Sequence, residues 1–307
     1  MTIDLLMPIV VAIYLYPGFV LYLLFHSIVD IKPRKRNLFI LMYFNIFVLS
    51  TLYWLLLAII VLRVNLSAPS IITIVSLGLP TLLLLLKMYR FISAIFKKLR
   101  KNLKERKLGT VKEKIKKICG SKRLYCFLKN NLLVSIQVLL LSGIFFLSSY
   151  HFELIDPTLP AGHDRNTHLA IILWFLEENS MMVRYPGTLF LNYRPVGFHM
   201  LLAIIFKIIL FLFGLTYSSV SHVYLTNMST ISSLFCAMVH FFISFYPIAV
   251  FSVVYELSNE SESLALLSSL AAISYIGYIV ALEPLHHLLG LYVVGFFIIM
   301  VKKLQRR

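Results

Sequence analysis

The sequence predicts an all-α protein that crosses a membrane repeatedly, with about seven transmembrane helices and one or two further helices at the outer interface. Three observations predict this. Apolar residues make up 60% of the 307-residue chain and the mean hydropathy is +0.87, well beyond a water-soluble domain. Apolar runs recur near the ~20 residues that cross a ~30 Å hydrocarbon core. The runs do not alternate polar with apolar residues, so they read as helices and not as barrel strands; lipid offers backbone amides no other partners.

The apolar segments fall near residues 5–26, 38–62, 71–96, 132–151, 197–216, 231–255, 264–282 and 288–301. The first has Asp4 before it and no basic stretch, so it reads as an anchor and not as a cleaved leader. Lys32, Arg34, Lys35 and Arg36 follow it, which puts its N-terminus outside. The second segment returns outward, and the third leaves the membrane near Lys87 with amphipathic last turns. From Lys87 to Lys129 stand sixteen Lys/Arg against Glu105 and Glu113, a net +14. Such a run raises the question of nucleic acid. Its place between spans assigns it instead to a cytoplasmic loop under the positive-inside rule. No nucleic-acid partner is expected. The stretch 87–130 is expected to meet anionic lipids, with residues 97–118 as a cationic surface helix. Segment 132–151 then crosses outward.

Parity constrains the rest. If all eight segments crossed, Lys302, Lys303, Arg306 and Arg307 would end outside, against the positive-inside rule. The conflict disappears if residues 197–216 do not cross. Lys207, near the middle of that segment, costs ~2.5–3.5 kcal/mol on insertion scales. The stretch before it is rich in Tyr and Arg, as at an interfacial helix. The competing solution is a non-spanning hairpin made of the last two segments. In the preferred arrangement residues 152–230 form one outer region. The chain then has two parts: residues 1–130, three helices and a basic cytoplasmic loop, and residues 131–307, a transmembrane module with a large outer loop. Sequons at Asn65 and Asn227 fall outside and one at Asn259 falls inside. Cys119, Cys126 and Cys236 provide neither a disulfide framework nor a zinc set.

The chemistry concentrates between Leu159 and Met200, a polar and aromatic stretch in an apolar chain. It holds His163, Asp164, His168, Arg184, Arg194 and His199, and ionisable groups beside a bilayer mark functional sites. Asp164 and His168 are four apart and share one helix face. They can act as acid and base or hold a metal; equally, Asp164 can cap the helix with His168 at the interface. Tyr185-Pro186-Gly187 and Asn192-Tyr193-Arg194-Pro195 set aromatic rings beside Arg. That suits a sugar and a phosphate, and it also suits an aromatic belt with snorkelling Arg. A third cluster, Glu283-Pro284-Leu285-His286-His287, lies outside when 197–216 does not cross.

Taken in order, these features resemble the N-terminal module of the GT-C glycosyltransferases, polytopic enzymes that include protein mannosyltransferases and the catalytic subunit of oligosaccharyltransferase. The resemblance covers about residues 131–307: a span, an outer loop with an early Asp, a His on the next helix, a Tyr-Pro-Gly element, then a second outer loop with a carboxylate. It implies sugar transfer from a polyprenyl-phosphate donor at the outer face. Asp164 takes the place of the acidic base or metal ligand, His168 of the histidine after it, and Glu283 of the second-loop carboxylate. Arg184, Arg194 and Lys207 are candidates for the donor phosphate. A divalent metal ion on Asp164, His168 and Glu283 is expected, with His163, His199, His286 and His287 as further candidates. Two departures stand against this pattern: no D-x-D or E-x-D surrounds Asp164, and family members continue with more spans. The alternative expectation is a non-enzymatic carrier subunit or scaffold that pairs with a second membrane chain.

Overall fold

The computed structural model describes residues 3–29, 38–104, 132, 134–144, 146–147, 171–176, 197–213, 228–272 and 285–305. Its elements are α1 (Ile3–Val29), α2 (Leu38–Arg63), α3 (Pro69–Lys104), α4 (Val134–Ile144), α5 (Gly197–Leu212), α6 (Met228–Ser244), α7 (Tyr246–Leu257), α8 (Glu262–Ala271) and α9 (Leu285–Gln305). No strand occurs among the described residues. Five stretches are long and apolar enough to cross a membrane: Pro8–Phe25, Phe39–Arg63, Pro69–Arg90, Ala237–Leu257 and Leu288–Gln305. The chain is therefore a helical protein built for a membrane.

α1, α2 and α3 form an antiparallel trio held by polar contacts. Gly18 is where α1 and α2 come closest; a Cβ there would collide with Ile46 O and Ser50 Oγ. Small residues permit such approach, and in lipid the gain is packing and hydrogen bonding. The Gly18 N–H donates to Ser50 Oγ at 3.1 Å, and Trp54 Nε1 donates to Tyr14 O at 2.9 Å. Tyr14 and Thr51 share a 2.5 Å hydroxyl pair.

α3 contains Pro80. Proline has no N–H, so the carbonyl four residues earlier, Ser76 O, loses its helical donor. Tyr53 of α2 supplies one instead, its hydroxyl donating to Ser76 O at 2.7 Å. This is the repair that lets a proline stand in a membrane helix.

Helix ends follow from local chemistry. Asn65 has φ 55°, with Leu66 N donating to Val61 O and Asn65 N to Leu62 O. That is a Schellman closure of α2, and asparagine tolerates the left-handed turn. Asn259, with φ 57°, stands at the equivalent place beyond α7. The Asn65 and Asn259 triplets thus have a conformational reason apart from glycosylation.

Contacts fix helix directions. Gly18 of α1 meets Ser50, and Tyr14 meets Thr51, so α1 ends where α2 begins. Tyr16 bonds Thr81 and Lys87 donates to Leu23 O, so α3 runs with α1. Tyr292 of α9 packs on Phe47 at 5.5 Å, and a Cβ on Gly295 would approach Phe44, so α9 runs against α2. α9 therefore ends at the α2 start. There Lys302 Nζ donates to Glu256 O and to Leu257 O, and Lys303 lies 3.8 Å from the Glu256 carboxylate. One end of the bundle, here the basic end, gathers Lys302 and Lys303 with the end of α1 and the start of α2, and Lys87 lies close below it. The opposite end is the far end.

The core centres on Phe47. Its ring stacks on Phe245 at 3.7 Å and meets Phe241, Phe242, Tyr14 and Tyr292 edgewise or tilted. Phe245 is the break between α6 and α7, and Pro247 starts the new helix. The segment 231–255 expected from sequence is thus one candidate span, Ala237–Leu257, with a single turn residue at Phe245 dividing α6 from α7.

Two further elements can be set against the sequence expectation. The third segment, expected to leave the membrane near Lys87 with amphipathic last turns, continues past Lys87 as one helix, α3, of 36 residues, and residues 105–118 lie outside those described. α5, expected at the outer interface, does not lie on the surface of the bundle. Its 16 residues include an unbroken buried run from Phe198 to Leu210. Protein therefore surrounds most of its length.

Candidate functional site

Of the candidate site residues, the structure describes two with their side chains, His199 and Lys207, both on α5. His286 and His287 fall in the first turn of α9. Asp164, His163, His168, Arg184, Arg194 and Glu283 lie outside the described residues, and their meeting in one site stays a proposal.

α5 enters the middle of the bundle. A Cβ on Gly197 would lie 3.3 Å from Leu55 Cδ2, and Phe198 meets Phe242 edge-on at 5.3 Å. Phe242 O in turn accepts the Tyr292 hydroxyl at 2.8 Å. Phe242 therefore links the start of α5 to α9. His286 and His287 precede Tyr292 by about a turn and a half, toward the far end. The start of α5 and the start of α9 accordingly share the half of the bundle away from Lys302 and Lys303.

Lys207 is the most unusual group in that interior. It is 2% exposed, and among the described residues its Nζ has no hydrogen-bond partner. An ammonium buried without an anion carries a desolvation cost of several kcal/mol. Leu, Ile or Phe would serve packing better at this position.

Other buried polar groups escaped the sequence reading. His240 is buried on α6 with its ring edge-on to Phe146 at 6.0 Å. Its signal was available, as an ionisable residue inside an apolar run. Glu256 is buried at the basic end beside Lys303. Asn45 is buried on α2 with no partner for its Nδ2 among the described residues. Also among the described residues, no three His, Cys, Asp or Glu side chains converge as a metal set would. The expected metal ligands Asp164, His168 and Glu283 lie outside them.

No protein-family model, characterised protein or solved structure matches the chain.

Proposed function

We propose that the protein is a multi-pass membrane enzyme that transfers a sugar from a polyprenyl-phosphate carrier to an acceptor at the far end of the bundle. The observation that carries this reading is Lys207, an enclosed cation that lacks an anion among the described residues. A lipid phosphate entering sideways from the bilayer would supply that anion. The far end is the outer face in this reading, because Lys302 and Lys303 stand at the other end, where the basic sequence joining α1 to α2 also falls. α5 does not cross, and the remaining segments make seven crossings.

The acceptor hydroxyl gives its proton to Asp164, its oxygen bonds the sugar anomeric carbon, and the bond from that carbon to the carrier phosphate breaks. Arg184, Arg194 and Lys207 take the charge of the departing phosphate. Asp164, His168 and Glu283 are the proposed holders of a divalent ion. A second reading, a carrier or scaffold subunit that packs on another membrane chain, is favoured by α3, whose spanning stretch is 22% buried.

The test reconstitutes the full chain in vesicles with polyprenyl-phosphate-linked radiolabelled sugars. Asp164→Asn keeps side-chain volume and removes charge. Transfer should fall at least ~100-fold, the scale of a lost general base, with unchanged thermal unfolding. Wild-type transfer in that variant removes the catalytic assignment, and no transfer by the wild-type chain leaves the scaffold.

A further inference from the structure

A second surface stands apart from that site. α3 has 36 residues, which at 1.5 Å each make a rod of about 54 Å. The hydrocarbon core takes roughly 20 of them. Lys87 marks the exit, since its ammonium reaches back to Leu23 O near the end of α1. Beyond it the helix leaves the bundle. Tyr89 is 71% exposed and Phe96 67%, and Met88 and Ile92 are exposed too. The same stretch carries Lys87, Arg90, Lys97, Lys98, Arg100, Lys101 and Lys104 with no acidic residue.

This mixture suits neither bulk solvent nor hydrocarbon. Large exposed apolar side chains are unfavourable in water, and a run of cations is unfavourable in lipid. The boundary between them satisfies both, with rings at the acyl edge and cations among headgroups. We infer that α3 from Lys87 to Lys104 is a docking surface for the anionic lipid headgroups of the leaflet at the basic end. The occupant is chosen by charge complementarity and by exposed apolar residues that a polyanion such as RNA would leave in water. Seven cations between Lys87 and Lys104, with no carboxylate among them, draw anionic headgroups electrostatically and bind neutral ones weakly.

The surface can be probed without reference to sugar transfer. The full chain, with Cys119, Cys126 and Cys236 changed to Ser, receives an environment-sensitive fluorophore at Ser93→Cys. Ser93 falls between Tyr89 and Phe96 on one helix face. The protein is placed in nanodiscs of phosphatidylcholine alone, or of an equal mixture with phosphatidylglycerol. In the mixed discs, emission should shift to the blue and iodide quenching should fall several-fold. Added salt should reverse both changes. The combined change of Arg90, Lys97, Lys98, Arg100 and Lys101 to Gln should abolish the lipid dependence while the label stays in place. Equal emission and quenching in the two discs overturns the inference. So does a lipid response that survives the Gln variant, or a shift driven by an RNA oligonucleotide in neutral discs.

Discussion

Tyr53→Phe isolates one hydrogen bond, and Pro80→Ala removes the need for it. In the wild-type chain the Tyr53 hydroxyl is the donor to Ser76 O, the carbonyl that Pro80 leaves without a helical N–H. Phenylalanine keeps the ring, including its edge-on contact with Trp54 at 5.6 Å, and loses the donor. A buried carbonyl left unsatisfied costs about 1–3 kcal/mol. Interhelical bonds measured in a bilayer protein average nearer ~0.6 kcal/mol with a maximum of ~1.7. The carbonyl of Ser76 sits in a helix whose own donor is missing, so the upper half of the bilayer range applies, and about 1–1.5 kcal/mol is expected. In Pro80→Ala the new N–H bonds Ser76 O within α3, and Tyr53→Phe should then cost less than about 0.5 kcal/mol. The coupling between the two changes should be ~1 kcal/mol, above the ~0.5 kcal/mol additivity error of independent sites. Reversible unfolding of the full chain in detergent–SDS mixtures, monitored by tryptophan fluorescence, measures all four species. Equal costs of Tyr53→Phe in both backgrounds would refute the proline-repair argument.

Two other expectations rest on geometry. Gly18→Ala drives a methyl into the Ile46 carbonyl oxygen, so α1 and α2 must separate. Overpacking at ~1–3 kcal/mol, with the loss of the Ser50 and Trp54 bonds, should total about 2–4 kcal/mol in the same unfolding assay, whereas Gly143→Ala, with nothing within 4 Å, should be near neutral; similar values for the two would sink the close-contact account. Leu304→Cys and Val64→Cys, both exposed, lie at the basic and far ends, so a membrane-impermeant maleimide applied from outside should label Val64→Cys and spare Leu304→Cys; labelling of both from one side would contradict the antiparallel α2–α9 arrangement.

Elements whose physics is local are legible in the sequence. Apolar run length and basic flanks locate α1, α2 and α9, because a bilayer imposes length and the positive-inside rule imposes ends. The break at Phe245 is not legible. Pro247 announces a helix start there, yet hydropathy averages across a single turn residue. The course of α3 past Lys87 is legible in the amphipathic last turns of the third segment, since lysine changes the solvent a helix prefers without interrupting it. Lys207 by itself argues for an interfacial helix at α5. Apolar residues on every side suit a protein interior and a lipid surround equally, so the enclosure of α5 is not legible in its composition. The Tyr53–Ser76 contact spans 23 positions and depends on helix rotation, which composition does not encode. Of the candidate site, Lys207 is legible as an isolated charge in an apolar run. The grouping of Asp164 with Glu283 depends on residues outside those described.

The polar contacts that join α1, α2 and α3 all lie within the first third of the chain. At ~5–20 residues per second, the ribosome needs roughly ten seconds or more to deliver the remaining two thirds. The trio has its hydrogen-bond partners before α5, α7 and α9 exist. α2 then presents Phe44, Phe47 and Leu55 as a finished surface to the helices that arrive later. That order of synthesis lets assembly in the membrane proceed by templating, with early helices setting the seats and later helices taking them. A defect at Gly18 or Tyr53 would be felt first as a failure of biogenesis, in protein degraded before its last span is made.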